Sequence, residues 1–174
     1  MKSFRSLIVL KRPRCELWSI MRDRLIDLAD QLADISSVRE VSRSADADGQ
    51  VHIVNEWRAR HDVPPAFRTM LQVNEIGWLD RNVWDAAAFT CSWRIEPLVL
   101  SDYIVCSGQT VFADAMAGRG TRVTISGELD LKPGLFSVLG VGEAAGSAFI
   151  DSIATTAIPR NLRSVAEAAA AFET

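Results

Sequence analysis

Two periods divide the chain. From Val38 to Leu131 apolar residues tend to recur at every second position, and from Pro133 to Thr174 they recur every three or four. The first period is that of half-buried strands, whose side chains point alternately to opposite faces. The second is that of a helix with one apolar face. The opening residues show both in brief. Ser3 to Lys11 contains the run Leu7 to Leu10 and reads as a first strand. Trp18, Met21, Leu25, Leu28, Ala29 and Leu32 then follow at spacings of three and four, as one amphipathic helix or two short ones. Pro13 suits the first turn of that helix, where its missing N–H is not needed.

The strand region is punctuated by turn residues. Asp48-Gly49 separates two alternating segments and predicts a hairpin. In the second arm Val51, Ile53, Asn55, Trp57 and Ala59 share one face. Pro64 and Pro65 stop that strand, because neither can donate to a ladder. A short helical turn from Ala66 to Asn74 is expected to cross an end of the sheet. Four more strands follow, marked by Ile76, Trp78 and Trp84; by Phe89, Cys91, Trp93 and Ile95; by Ile104, Cys106, Gly108, Thr110 and Phe112; and by Val123, Ile125, Gly127, Leu129 and Leu131. Clean alternation means one dry face and one wet face, as in an antiparallel sheet.

After Pro133-Gly134, Val138, Ala145, Phe149, Ile153 and Ala157 fall on one helical face. Gly140, Gly142 and Gly146 weaken its first turns, each by up to about 1 kcal/mol against Ala. Pro159 interrupts the helix, and Leu162, Val165, Ala166, Ala169 and Phe172 resume the pattern. The order is strand, helices, six strands, long helix. That predicts an α+β fold in a single domain, residues 1–174, with an antiparallel sheet of about seven strands curled around a long C-terminal helix.

Four stretches in this order, "RPRCELWSIMRD", "DADGQVHIVNEW", "FTCSWRIEP" and "GRGTRVTISGEL" running up to the last helix, give the chain its family likeness. It resembles the START/Bet v1-like superfamily, also called SRPBCC or polyketide cyclase/dehydrase-like. The resemblance implies a helix-grip fold, with two short helices after the first strand. It also implies a cavity between sheet and last helix that takes lipids, sterols, polyketides, isoprenoids or other hydrophobic compounds. Some members are cyclases or hydrolases and many are carriers. They share no catalytic triad, so the resemblance places no catalytic residue here.

Composition narrows the partners. Nineteen Lys and Arg stand against 22 Asp and Glu, a net charge of -3, with no basic run to grip nucleic acid. The apolar run near the N-terminus is too short for a signal peptide or an anchor, and no stretch reaches the length of a membrane helix. Three Cys without CxxC or a Cys/His cluster suggest a reduced, cytoplasmic protein. Nothing in the pattern fixes an oligomeric state; monomer and dimer are both compatible with it. No cofactor is implied. "GVGEAAG" at Gly140 has the wrong spacing for a dinucleotide loop and follows a strand that has already ended. A metal needs more ligands than His52, His61, Cys91 and Cys106 provide.

The candidate site residues come from polar interruptions of apolar faces and from aromatics. Five Trp accompany a single Tyr. Trp57, Trp78, Trp84 and Trp93 lie on strands, as pocket wall or as plain core. Asn55 interrupts one apolar face, and Asp80 and Asn82 another. A buried polar group needs a partner, which water or a ligand's polar head can supply in a cavity. The expected ligand-binding set is Asn55, Trp57, Trp78, Asp80, Trp93, Cys106, Phe112, Phe149 and Ile153. The stretch Gly134 to Gly146 and the loop after Pro64 are expected to gate it. No catalytic set is recognised: His52 shares a wet face with Glu56, and His61 sits beside Asp62 at a strand end. Three functions remain open. The first is binding of a hydrophobic small molecule or lipid for transport, storage or sensing. The second is a cyclase or hydratase in the same pocket, with Asp80 as its acid or base. The third is a partner-binding module with a filled core.

Overall fold

The computed structural model describes residues 1–62 and 74–173 (for His61, Asp62, Phe149, Ile153 and Ala154, the backbone alone). Strand β1 is Lys2–Leu10, followed by α1 at Arg14–Asp23, α2 at Leu25–Leu28 and a 3-10 turn at Ala29–Gln31. Then come β2 (Ile35–Ala45), β3 (Val51–Asp62), β4 (Glu75–Asp85), β5 (Thr90–Pro97), β6 (Ile104–Ala115) and β7 (Gly120–Leu131). The C-terminal part holds α3 (Leu135–Leu139), α4 (Glu143–Ser152), a π-helical turn (Ile153–Ala157) and α5 (Ile158–Ala171). The strands form one antiparallel sheet in the order β1-β7-β6-β5-β4-β3-β2. The helical turn expected from Ala66 lies outside the described residues.

The alternation read from the sequence is the alternation of burial. Ile53, Asn55 and Trp57 of β3 are buried, with His52, Val54 and Glu56 more open between them. At the β2–β3 hairpin Gly49 takes φ +80, a conformation that costs glycine nothing for lack of a Cβ. Its N–H donates to the Asp46 carbonyl at 3.1 Å. Register shifts between Ile35 and Ser37 and between Glu40 and Ser42 put bulges into β2, and bulges sharpen twist. The sheet therefore curls, and its concave face carries the core.

Helix α5 lies in that concavity against α1, α2, β1 and β7. Ala166 and Ala169 are fully buried, and small side chains at these positions let its backbone approach the sheet closely. Arg12 fixes its end: Nη2 donates to the Phe172 carbonyl at 2.7 Å, a cation at a helix C-terminus, where the peptide dipoles favour it. On the sheet side, Trp18 of α1 meets Trp84 edge-on at 5.6 Å and Phe89 at 5.7 Å.

The C-terminal segment differs from expectation at its start. It is not one helical face from Val138 onward. Gly140 takes φ +62 and caps α3, so Val138 falls on a separate short helix and stands 47% exposed. The long helix runs from Glu143 to Ala171 through the π turn. Gly146 is buried, because the Phe136 ring occupies the space a Cβ there would need. The π turn has a cause in Pro159. Proline offers no N–H to the Thr155 carbonyl and its ring crowds that carbonyl, so the preceding turn widens. Thr155 Oγ1 donates back to the Asp151 carbonyl at 2.7 Å, a bond that also bends helices. Pro13 stands one place ahead of its expected position, at the N-cap of α1. Among the described residues no helix is long and apolar enough to cross a membrane.

A candidate ligand cavity under the last helix

Between the concave sheet and α5 lies a cavity of about 50 Å³. At roughly 10–15 Å³ per water, that is room for about three to five waters or a head group of similar size. Met21, Arg22 and Leu25 of α1 and α2 close it on one side, and Leu162 and Val165 of α5 on another. The sheet contributes Trp57, Trp84, Trp93, Phe112 and Ile125 as apolar wall. It also contributes a polar patch on adjacent strands: Asn55, Asp80, Asn82, Cys91 and Thr110.

Register explains the patch. Asn55 of β3 pairs with Asp80 of β4, so both side chains stand on the concave face, side by side. Asn82 is two residues on and therefore on the same face. Its Nδ2 donates to Asp80 Oδ2 at 3.0 Å, and the Cys91 thiol donates to Asn82 Oδ1 at 3.4 Å. A buried chain from Cys91 through Asn82 thus orients the Asp80 carboxyl. The Trp57 indole N–H reaches toward the same carboxyl and helps hold its pKa down. It does not attain hydrogen-bond geometry there, and it has no other partner among the described residues. Asn55 is only 4% exposed, yet its amide has no hydrogen-bond partner among the described residues and opens on the cavity.

Asp80 has no basic partner among the described residues. Burial pushes its pKa up to about 6, against the opposing pull of Asn82 and Trp57. The surface it keeps faces the cavity. Burial, with the Asp80 charge second, pushes the Cys106 thiol up to about 12, and the Cys91 thiol well above its usual range. Both are inert in that state. Arg22 is the one cation among the described wall residues. Its guanidinium lies 4.5 Å from the Trp18 ring centre and grips the Asp23 carboxylate through two bonds of 2.9 and 2.6 Å.

Of the nine expected residues, the structure brings five to the cavity: Asn55, Trp57, Asp80, Trp93 and Phe112. Trp78 stacks on Trp57 at 5.8 Å, one layer outside. Cys106 is buried in β6 away from the lining. The side chains of Phe149 and Ile153 lie outside the described residues. Trp93 is set by two glycines: Gly108, its register partner, and Gly127 beyond it on β7. A Cβ at Gly127 would stand 2.5 Å from the Trp93 ring. The indole therefore crosses the sheet to stack on Phe4 of β1 at 6.1 Å, and its N–H donates to Thr110 Oγ1 at 3.2 Å. Sequence reasoning missed Thr110, although a hydroxyl between Gly108 and Phe112 on a dry face was its signal. It also missed Met21 and Leu25 as wall residues, since an apolar helix stripe reads as core whether or not a cavity adjoins it. No group of three or more His, Cys, Asp or Glu among the described residues is arranged to hold a metal.

No family model matches the chain, and no curated protein matches it. Solved structures do. A Thermus thermophilus protein, TTHA0849, is 18% identical with a TM-score of 0.69, over 99% of this chain and all of that one. The Zhui aromatase/cyclase from a Streptomyces species is 12% identical with a TM-score of 0.68, covering 98% of this chain and 92% of that one. Norcoclaurine synthase from Thalictrum flavum is 12% identical with a TM-score of 0.63, covering 98% of this chain and 84% of that one. At such identities the likeness is one of fold, and it spans nearly the whole chain. The chain has the helix-grip fold of the START/Bet v1-like superfamily.

Proposed function

We propose that this protein binds a hydrophobic small molecule or lipid, for transport, storage or sensing, in the cavity between its sheet and last helix. One observation carries the reading: a wall of Trp57, Trp84, Trp93 and Phe112 is interrupted by polar groups, Asn55 and the Trp57 N–H, that lack partners among the described residues. Polar groups left open inside a fold are placed for something other than the fold. The volume of about 50 Å³ admits a head group. A larger ligand enters by displacing the last helix, whose π turn and Pro159 interrupt its hydrogen-bond ladder. Three free thiols support a reducing, cytoplasmic setting for this function. Native mass spectrometry of the purified protein, with Trp fluorescence titrations of a lipid and polyphenol panel, tests the reading. Co-purified mass or saturable quenching is expected; a bare protein that binds nothing in the panel overturns it.

A second reading draws on Asp80 alone. A carboxyl titrating at about 6 in an enclosed site is suited to moving a proton near neutral pH. The aromatase/cyclase among the similar folds makes a cyclase- or hydratase-like reaction the concrete form of this reading. Asp80→Asn would then abolish turnover while leaving ligand binding measurable; retained turnover removes Asp80 from the chemistry.

A further inference from the structure

We infer that the cavity selects ligands that carry a protonated amine on an apolar ring or chain, with Asp80 as the counter-ion and the Trp57 ring beside it. This rests on the cavity-binding reading above and names its ligand class. Asp80 is enclosed, and no basic side chain among the described residues reaches it. At neutral pH most of it is ionised, so a carboxylate sits beneath the last helix with, among the described residues, only Asn82 bonding to it. Such an arrangement disfavours the folded protein unless a cation arrives.

Among the described residues the surroundings hold one cation, Arg22, and it is engaged elsewhere. On β3 the neighbours are Asn55 and Trp57, and on β4 Asn82, all uncharged. On β5 and β6 the titratable neighbours are Cys91 and Cys106, whose thiols remain neutral. Leu162 and Val165 of α5 bring no charge. Arg22 of α1 is paired with Asp23, which in turn binds Arg43 of β2 at 2.9 Å. What the site does offer is suited to an ammonium. It has a carboxylate, an amide at Asn55 able to turn an acceptor inward, and apolar rings around them. A volume of about 50 Å³ fits an ammonium with a methylene or two.

Three probes on one benzyl frame and of different charge decide the point: benzylamine, its isostere ethylbenzene, and phenylacetate, titrated calorimetrically into the intact protein and into Asp80→Asn. Benzylamine is expected to bind at least about tenfold more tightly than ethylbenzene, with phenylacetate weakest, and the preference to vanish in Asp80→Asn. Its affinity falls about tenfold from about pH 7.5 to about pH 5, as a proton takes the ammonium's place on Asp80. Equal binding of benzylamine and ethylbenzene overturns the amine inference while sustaining the cavity. A preference that survives in Asp80→Asn overturns the role of Asp80. If none of the three binds, the amine inference falls, and the lipid and polyphenol panel then decides whether the cavity takes ligands at all.

Discussion

Replacing Asp80 by Asn should make the protein more stable at neutral pH, not less. The carboxyl titrates at about 6 in the folded chain and at the usual 3.8 when exposed. Its folded pKa is raised, so between those two values the folded state holds a proton that the unfolded state has released. Stability therefore falls as pH rises through this window, and the cost is complete above about pH 6. At about 1.36 kcal/mol per pH unit, the gap from 3.8 to about 6 corresponds to about 3 kcal/mol. Asn has nearly the same shape and cannot ionise, and its Oδ1 still accepts the bond from Asn82. The wild type and the variant share every other titrating group, so the difference between them isolates this one. Urea denaturation at about pH 4.5 and about pH 7.5 should show the advantage of Asn growing by about 2 kcal/mol between the two. In a chain of this length the whole of about 3 kcal/mol at the higher pH corresponds to a thermal midpoint gain of roughly 6–12 °C. A difference that does not change with pH, or that shrinks as pH rises, refutes the assignment of Asp80 as a buried carboxyl without a cation.

Three further outcomes follow from the packing. Gly127→Ala puts a methyl 2.5 Å from the Trp93 ring and 2.7 Å from Phe4. It should cost about 1–3 kcal/mol and alter the near-ultraviolet dichroism of the stacked pair, and an unchanged spectrum would contradict the placement of Trp93. Thr110→Val keeps the shape and leaves the Trp93 N–H without its acceptor; urea midpoints should report a loss of about 1–3 kcal/mol, and none if the N–H finds another partner. Arg43→Ala breaks bonds to Glu40 and Asp23, but the side chain is 35% exposed, so the same assay should detect less than about 1 kcal/mol.

The sheet was legible because its side chains alternate locally. The period of two in β3 to β7 depends only on residues next to one another, and so does the Asp48-Gly49 hairpin. The polar patch was half legible. Asn55, Asp80 and Asn82 each interrupt an apolar face, and that much is local. That Asn55 stands opposite Asp80 is a matter of register across β3 and β4, and the segment joining them hides the offset from any reading along the chain. The glycines of the C-terminal segment read, along the sequence, as weakness in a single helix. Gly140 instead ends one helix, and Gly146 makes room for Phe136. A helical wheel cannot distinguish these uses, because neither the reversal of φ nor the approaching ring lies on the helix itself. Cys106 illustrates the same limit. Its face was correct, but depth along the strand decides whether an inward side chain meets a cavity or the floor.

The crossing of Trp93 over two glycines has a consequence for inheritance. The two are not held by the same thing. At Gly108 a Cβ would also collide with the Ser126 carbonyl, a backbone atom that no substitution removes. At Gly127 the nearest obstacles are the rings of Trp93 and Phe4, which can change, and the Ser107 carbonyl stands farther off, at 3.0 Å, where a small shift relieves it. Among diverging descendants of this chain, position 108 should stay glycine whatever else happens. Position 127 should gain a side chain only in lineages that have reduced the ring at 93 or at 4. An invariant site and a covarying triple, side by side on neighbouring strands, would be the record that this packing leaves in a family alignment.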